Sequence, residues 1–353
     1  MPFYSPLRYP GGKRRLAPVV MRLLEETRLA DVQYVEPYAG GAAIALALLF
    51  EEYASIIHIN DLSRPVYAFW HAVLNRADWL CRKIEKTKIT MAERARQRSV
   101  YEQRDDADLG DLGFATLFLN RTNRSGIIAG GVIGGKTQAG KWGLDARFNK
   151  SGLIERIQRI SRYRHRIRLY QSDALAFTKT VVPNITGKVL VFYDPPYVDS
   201  GEKLYLNDYE IEDHRKLADC VIRLGKPWVV TYDYAAVGHK LYSAQRRIVY
   251  GLPYSAQERY RGREVMFLSD AIRVPQEWNS SKPFRLSPPR SEYPLYGRME
   301  VIKPHTEMIE RPEATDGFTR AVKTVLSVPK SALPNPFKKT ALNRKSTAVR
   351  KES

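Results

Sequence analysis

The chain has 353 residues, with 57 Lys or Arg against 38 Asp or Glu and a formal charge of +19. With 44% hydrophobic and 27% charged residues it can build a sizeable core, which excludes a wholly disordered chain. It shows neither the roughly 18 uninterrupted apolar residues of a membrane span nor the apolar core of a signal peptide. Two cysteines, Cys81 and Cys220, are too few for a disulfide framework, so a soluble, cytoplasmic protein is expected.

In chain order, Tyr9-Pro-Gly-Gly-Lys13 comes first, a glycine turn before a basic helix start at Arg14-Arg15. It could cradle a phosphate or simply turn the chain, and it lacks the spacing of a P-loop. Val32 to Glu36 reads as a strand running into the small-residue turn Pro37-Tyr38-Ala39-Gly40-Gly41 and then a helix from Ala42 to Phe50. Ile56 to Asn60 is a second strand, ending in Asp61, with Ser63 as the expected cap of a helix from Arg64 to Leu74. Arg76 to Gln103 reads as charged helix, 120–126 with the glycines through Gly140 as a mobile polar loop, and Asn149 to Tyr163 as helix again. Lys188 to Tyr193 is apolar throughout, the mark of a strand in the middle of a covered sheet, and it ends in Asp194-Pro-Pro-Tyr197. A helix over Glu212 to Leu224 and strands at 228–231, 247–250 and 265–268 complete an alternation that predicts an α/β doubly wound sheet, with ligands at the carboxyl ends of its strands. Beyond Arg273 the chain is Pro-rich and then basic. Residues 275–317 are expected to be extended, and 338–353 to form a disordered tail.

The charge is localised. Residues 71–170 carry 21 basic and 10 acidic groups, net +11, and residues 323–353 carry 8 and 1, net +7; residues 1–70 balance at 7 and 7. A concentrated positive field suits a polyanion, because each neutralised phosphate releases condensed counterions. Asp61 lies 20 residues beyond Gly41, where a dinucleotide fold places an acid on ribose hydroxyls, so the pair suits an adenosine-bearing cofactor. Asp194-Pro195-Pro196-Tyr197 offers a carboxylate, carbonyls without competing N–H groups and an aromatic face, which together suit an exocyclic amine on a planar base. The six histidines show no metal-ligand spacing, and no metal is expected.

Arg8-Tyr-Pro-Gly-Gly-Lys13, Val35-Glu-Pro-Tyr-Ala-Gly-Gly41, Asn60-Asp61, Asn120-Arg121 with Ser125-Gly126, and Asp194-Pro-Pro-Tyr197 occur in the order found in the Dam-like adenine-specific DNA methyltransferases, alpha group, which the chain resembles over roughly residues 5–270. The resemblance implies a Rossmann-like methyltransferase sheet using S-adenosyl-L-methionine, in two halves over 1–70 and 166–274. An inserted helical target-recognition domain would cover 71–165, and 275–353 would be a tail. It implies that Tyr9, Lys13, Glu36, Gly40, Asp61, Asp173 and Asp194 bind cofactor, and that Asp194, Pro195, Pro196 and Tyr197 form the catalytic loop. Within the basic insertion, Asn120, Arg121, Asn123, Arg124, Lys136 and Lys141 are the candidate contacts to double-stranded DNA. Ala42 stands where many relatives have a third glycine and is expected to narrow the loop; Tyr38 replaces the usual phenylalanine. The implied reaction is methylation of N6 on a flipped-out adenine. Cytosine N4 or RNA adenine methylation and a catalytically inactive DNA-binding relative stand as alternatives. A restriction endonuclease of the same system would be a functional partner, although no protein partner is evident in the sequence.

Overall fold

The computed structural model describes residues 2–9, 12–196, 210–233, 236–253, 261–278 and 284–285. Tyr197, Tyr234, residues 254–260 and nearly all of 279–353 therefore lie outside the described residues, and with them the expected aromatic face, the extended stretch and the tail.

A single sheet holds eight strands in the order β3-β2-β1-β4-β5-β7-β6-β8. They are β1 (Val32–Glu36), β2 (Ala54–Asn60), β3 (Ile167–Tyr170), β4 (Val189–Tyr193), β5 (Trp228–Asp233), β6 (Arg246–Pro253), β7 (Arg261–Leu268) and the two-residue β8 (Phe284–Arg285). The first five pair in parallel, whereas β7 runs antiparallel between β5 and β6. Among the described residues ten α-helices accompany them: α1 (Ala17–Thr27), α2 (Ala43–Phe50), α3 (Arg64–Asn75), α4 (Ala77–Lys86), α5 (Met91–Glu102), α6 (Leu109–Thr122), α7 (Lys150–Arg162), α8 (Ala174–Thr180), α9 (Ile211–Ile222) and α10 (Ala236–Leu241). The α/β Rossmann-like expectation holds, since the chain reverses direction across the sheet between β1 and β4, where such folds bind ligands.

Alternation along the central strands builds two cores. Leu190 and Phe192 of β4 join Tyr34, Val229 and Met266 on one face. Val189, Val191 and Tyr193 join Val35, Val230 and Phe267 on the other. Side chains that point to opposite faces, both apolar, account for the unbroken apolar run read from the sequence. The helix α2 is apolar all round and buried over Ile44 to Phe50, because it follows the first strand directly into the core.

The segment between α3 and β3 differs from its sequence reading. The expected helix over 76–103 is two helices, broken at Thr87 with extended backbone and restarted by Thr90, whose side chain accepts from the Glu93 N–H at 3.1 Å. The helix α6 was not foreseen, and it takes in Asn120 and Arg121, which were read as loop. It is capped by Asp108, whose Oδ1 accepts from Gly110 N–H at 2.8 Å and Asp111 N–H at 3.2 Å. Gly113 lets α6 cross α3 closely, since a Cβ there would meet the Ala68 carbonyl oxygen at 2.5 Å. In the following loop, Gln138 Nε2 donates to the Ile133 and Gly135 carbonyls, and its Oε1 accepts from Leu144 N–H. Ser63 occupies the N-cap of α3 without a side-chain cap; its own N–H donates to Asp61 instead. Among the described residues no helix is long and apolar enough to cross a membrane.

Candidate active site

The carboxyl ends of the neighbouring strands β1, β2 and β4 deliver three acids, Glu36, Asp61 and Asp194. Glu36 is buried, and its Oε1 accepts from the Ala45 N–H at 3.1 Å at the start of α2. Burial pushes its carboxyl up to about 8. Asp61 clasps the glycine turn: Oδ2 accepts from Gly40 N–H and Oδ1 from Ser63 N–H, both at 2.9 Å. Burial raises Asp61 to about 6 against the pull of those two N–H groups. The Gly40 carbonyl in turn accepts from Trp70 Nε1 at 2.9 Å, so both polar backbone groups of Gly40 are held. Its φ of +47° lies in the left-handed region, and a Cβ would sit 2.8 Å from the Tyr9 ring. The Tyr9 ring therefore lies directly on the turn.

Ala42 shares that backbone state, with φ 46° and ψ 37°. The expected narrowing is instead a strained backbone, worth about 1–2 kcal/mol for a residue with a Cβ. Asn60 stitches the turn to the strand beyond, donating to the Pro37 and Ser172 carbonyls and accepting from Ser172 N–H. The next residue, Asp173, caps α8 by accepting from Ala176 N–H at 2.9 Å. The stitch brings it to the rim formed by Gly40 and Asp61.

Asp194 belongs to a buried polar chain that the sequence reading did not foresee. Its Oδ1 accepts from Thr231 Oγ1 of β5 at 2.7 Å and lies 3.7 Å from Lys13 Nζ. Lys13 in turn donates to both oxygens of Glu264 on β7, at 2.8 and 2.9 Å, and Tyr250 of β6 donates to Glu264 Oε2 at 2.7 Å. Lys13 is 7% and Glu264 1% exposed, so this pairing is shielded from water. Lys13, which the family resemblance gave to the cofactor site, thus stands beside Asp194. Burial raises Asp194 to about 6; Lys13 pulls it down and Glu264 pushes it up. The one cue in the sequence was Glu264 itself, a carboxylate at the head of the apolar run Val265 to Leu268. Pro195 is buried and Pro196 half-buried at the strand end. Tyr232 is spent in the core, with its hydroxyl on His214 Nδ1 at 2.9 Å, and does not line the site.

The candidate DNA contacts divide. Asn120, Arg121 and Asn123 are buried. Asn120 bonds the Arg8 N–H and carbonyl and the Gly126 carbonyl. Asn123 accepts from Arg94 and donates to the Ile127 and Ile128 carbonyls. Arg121 donates to the Pro6 carbonyl. Asn120 and Asn123 thereby direct their amide groups into the fold. Arg124, Lys136 and Lys141 are exposed and remain in reach of a polyanion. Among the described residues no group of His, Cys, Asp or Glu could hold a metal ion.

Type II methyltransferase M.MjaIII of Methanocaldococcus jannaschii is 22% identical over 233 residues, 62% of this chain and 77% of that protein. Among solved structures, magnesium protoporphyrin IX methyltransferase (ChlM) from Synechocystis PCC 6803 with bound SAM covers 74% of this chain and 81% of its own, at 8% identity and a TM-score of 0.31. The rRNA methyltransferase aviRa from Streptomyces viridochromogenes covers 73% and 84%, at 13% identity and a TM-score of 0.31. A family model, D12 class N6 adenine-specific DNA methyltransferase, matches residues 9–253. That match runs from the aromatic resting on the glycine turn to the end of β6, and by it the chain belongs to the D12 class of N6 adenine-specific DNA methyltransferases.

Proposed function

We propose that Asp194 receives the exocyclic amine of an adenine flipped out of duplex DNA, and that the acids around the glycine turn hold the cofactor. The observation that supports this most is the state of the Asp194 carboxylate. Its Oδ1 is engaged by Thr231, while Oδ2 carries no hydrogen bond among the described residues. One oxygen fixes the group and the other is left to accept an N–H.

The enzyme is an S-adenosylmethionine-dependent methyltransferase, as its family is. The residues fit that cofactor: Glu36, Asp61 and Asp194 form an acceptor set suited to a cationic ligand with sugar hydroxyls, and the Tyr9 ring closes over Gly40. When bound, S-adenosylmethionine supplies a methyl group made electrophilic by its sulfonium. The protein's part is to make the amine a better nucleophile. The N6 lone pair of adenine is delocalised into the ring, and acceptance of its N–H bonds by Asp194 and the Pro195 carbonyl favours a tetrahedral nitrogen and stabilises its developing positive charge. Thr231 fixes the carboxylate rotamer, and Lys13 favours its ionised form. Positioning supplies much of the remaining acceleration. Tyr197 follows directly and would stack the flipped base. Arg124, Lys136 and Lys141, within the 71–165 insertion, would meet the DNA. A restriction endonuclease acting at the same site would be the functional partner.

The test combines purified protein, unmethylated duplex DNA and labelled S-adenosylmethionine, with Asp194→Ala as control, followed by analysis of modified nucleosides. Label on adenine N6 that falls at least 100-fold in the variant while cofactor binding persists is the expected outcome (about 3 kcal/mol of transition-state stabilisation). Label at unchanged rate in Asp194→Ala would remove Asp194 from the chemistry.

A further inference from the structure

Guanidinium groups converge on the N-terminal segment beside the active site. Arg121, near the end of α6, is 7% exposed, and its Nε donates to the Pro6 carbonyl at 2.8 Å with Nη2 on the same oxygen. Arg156 of α7 donates to the Ser5 carbonyl at 3.2 Å. Arg8 is half-buried and its backbone is locked: its N–H and carbonyl both bond Asn120 at 2.8 Å. Gly126, at φ +79°, presses so close that a Cβ there would lie 2.1 Å from the Arg8 carbonyl oxygen. Arg147, exposed just before α7, completes the group; its charge acts on both Arg8 and Arg121.

The cluster lacks counter-charge. Among the described residues none of these four arginines forms an ion pair with a carboxylate. Burial first, and then Arg156, Arg8 and Arg147, push Arg121 down to about 9. A charge taken out of water without a partner is costly. The fold nevertheless spends Asn120 and a glycine in the left-handed region to hold this arrangement. The guanidinium fork matches the oxygens of a phosphate and binds it more selectively than an ammonium does.

We propose that Arg8, Arg121, Arg147 and Arg156 form a seat for one backbone phosphodiester of the substrate DNA, with Arg121 as the buried floor and Arg8 and Arg147 as the accessible wall. The assignment rests on the DNA reading above. Its location explains its use. Arg8 precedes Tyr9, whose ring lies on the Gly40 turn, so a phosphate held there anchors the strand within one residue of the cofactor site. Phosphate contacts fix register and orientation without reading sequence. The same oxyanion chemistry would admit free phosphate, and the experiment separates the two sources.

Binding of a labelled duplex is measured by anisotropy across a salt series for wild type, Arg147→Ala, Arg147→Lys and Arg8→Ala/Arg147→Ala, beside cofactor affinity and steady-state kinetics. Arg147 is exposed, so its replacement spares the fold. Loss of one phosphate contact lowers the log–log salt slope by about 0.9 and the affinity by roughly tenfold near 0.1 M salt in the double variant. Arg147→Lys keeps most of the slope, the KM for DNA rises more than kcat falls, and cofactor affinity is unchanged. An unchanged slope in the double variant, with wild type still binding and methylating DNA, overturns the seat and leaves the DNA reading intact. Millimolar inorganic phosphate raising the Tm of wild type but not of the double variant, with equal DNA slopes, assigns the cluster to a free anion and also overturns it. Failure of wild type to bind duplex DNA at any salt defeats the DNA reading and the seat together.

Discussion

Gly40 is constrained at both polar backbone groups, in its φ and on its open side. Its N–H is committed to Asp61, its carbonyl to Trp70, its φ is positive and its open side is covered by the Tyr9 ring. Gly40→Ala must therefore displace the ring, because the backbone cannot yield. The combined cost of a left-handed Cβ and overpacking is about 2–4 kcal/mol. Thermal unfolding of Gly40→Ala should show that loss, and calorimetry should show S-adenosylmethionine affinity reduced at least tenfold. In a Tyr9→Ala background the same glycine substitution should lower Tm by less, since the clashing ring is gone; equal penalties in both backgrounds would refute the contact. The glycine turn, Asp61 and Asp194 were legible in the sequence because each sits at a strand end, where local pattern and chemistry coincide. The burial of Asn120 and Asn123 was not legible, for the converse reason. A polar side chain near a glycine-rich stretch looks free in sequence, and only the folded partners, Arg8 and Arg94, show that it is spent.

At the scale of elements, the β6–β7 hairpin completes the catalytic end of the sheet. Glu264 and Tyr250 face one another across that hairpin, and both engage the Lys13 chain. This could not be read from sequence, since register between distant strands decides which side chains meet. The helix α6 was missed for a different reason: buried along nearly its whole length, it shows no polar face to mark a period, and Gly110 and Gly113 resemble loop residues. The network makes a directional prediction. With Asp194 raised to about 6, its carboxylate is ionised above that pH and takes up a proton as pH falls through it. The acid limb of kcat/KM should therefore lie near 6. Glu264→Gln removes a negative neighbour and moves the limb to lower pH. Lys13→Met removes a positive neighbour and moves it to higher pH. Both variants lower kcat by about tenfold or more, as expected of positioning groups. Shifts of the same sign in the two pH profiles would rule out this coupling.

Across the whole molecule, the layout of charge separates site from scaffold. Residues 1–70 balance at 7 basic and 7 acidic groups, and the excess lies in residues 71–170, net +11, and residues 323–353, net +7. The family match ends at residue 253, so the basic C-terminal segment lies outside the matched residues. A chain ending at Val322 should retain kcat while losing nonspecific duplex affinity, with a smaller log–log salt slope measured on noncognate DNA. An unchanged slope would show that those charges do not meet the polyanion. The α/β class and the alternation of strands were legible because hydrophobic period survives in sequence; the antiparallel entry of β7 between β5 and β6 was not, because nothing local distinguishes it.

The Lys13–Glu264 pair also orders events in time. Its members are 251 residues apart. A nascent chain that has emerged only through β4 already contains Tyr9, the glycine turn and Asp194, yet the partner that seats Lys13 has not been synthesised. The acid is thus exposed before its electrostatic setting exists. Methylation should therefore begin only once β7 has been synthesised and Glu264 can pair with Lys13.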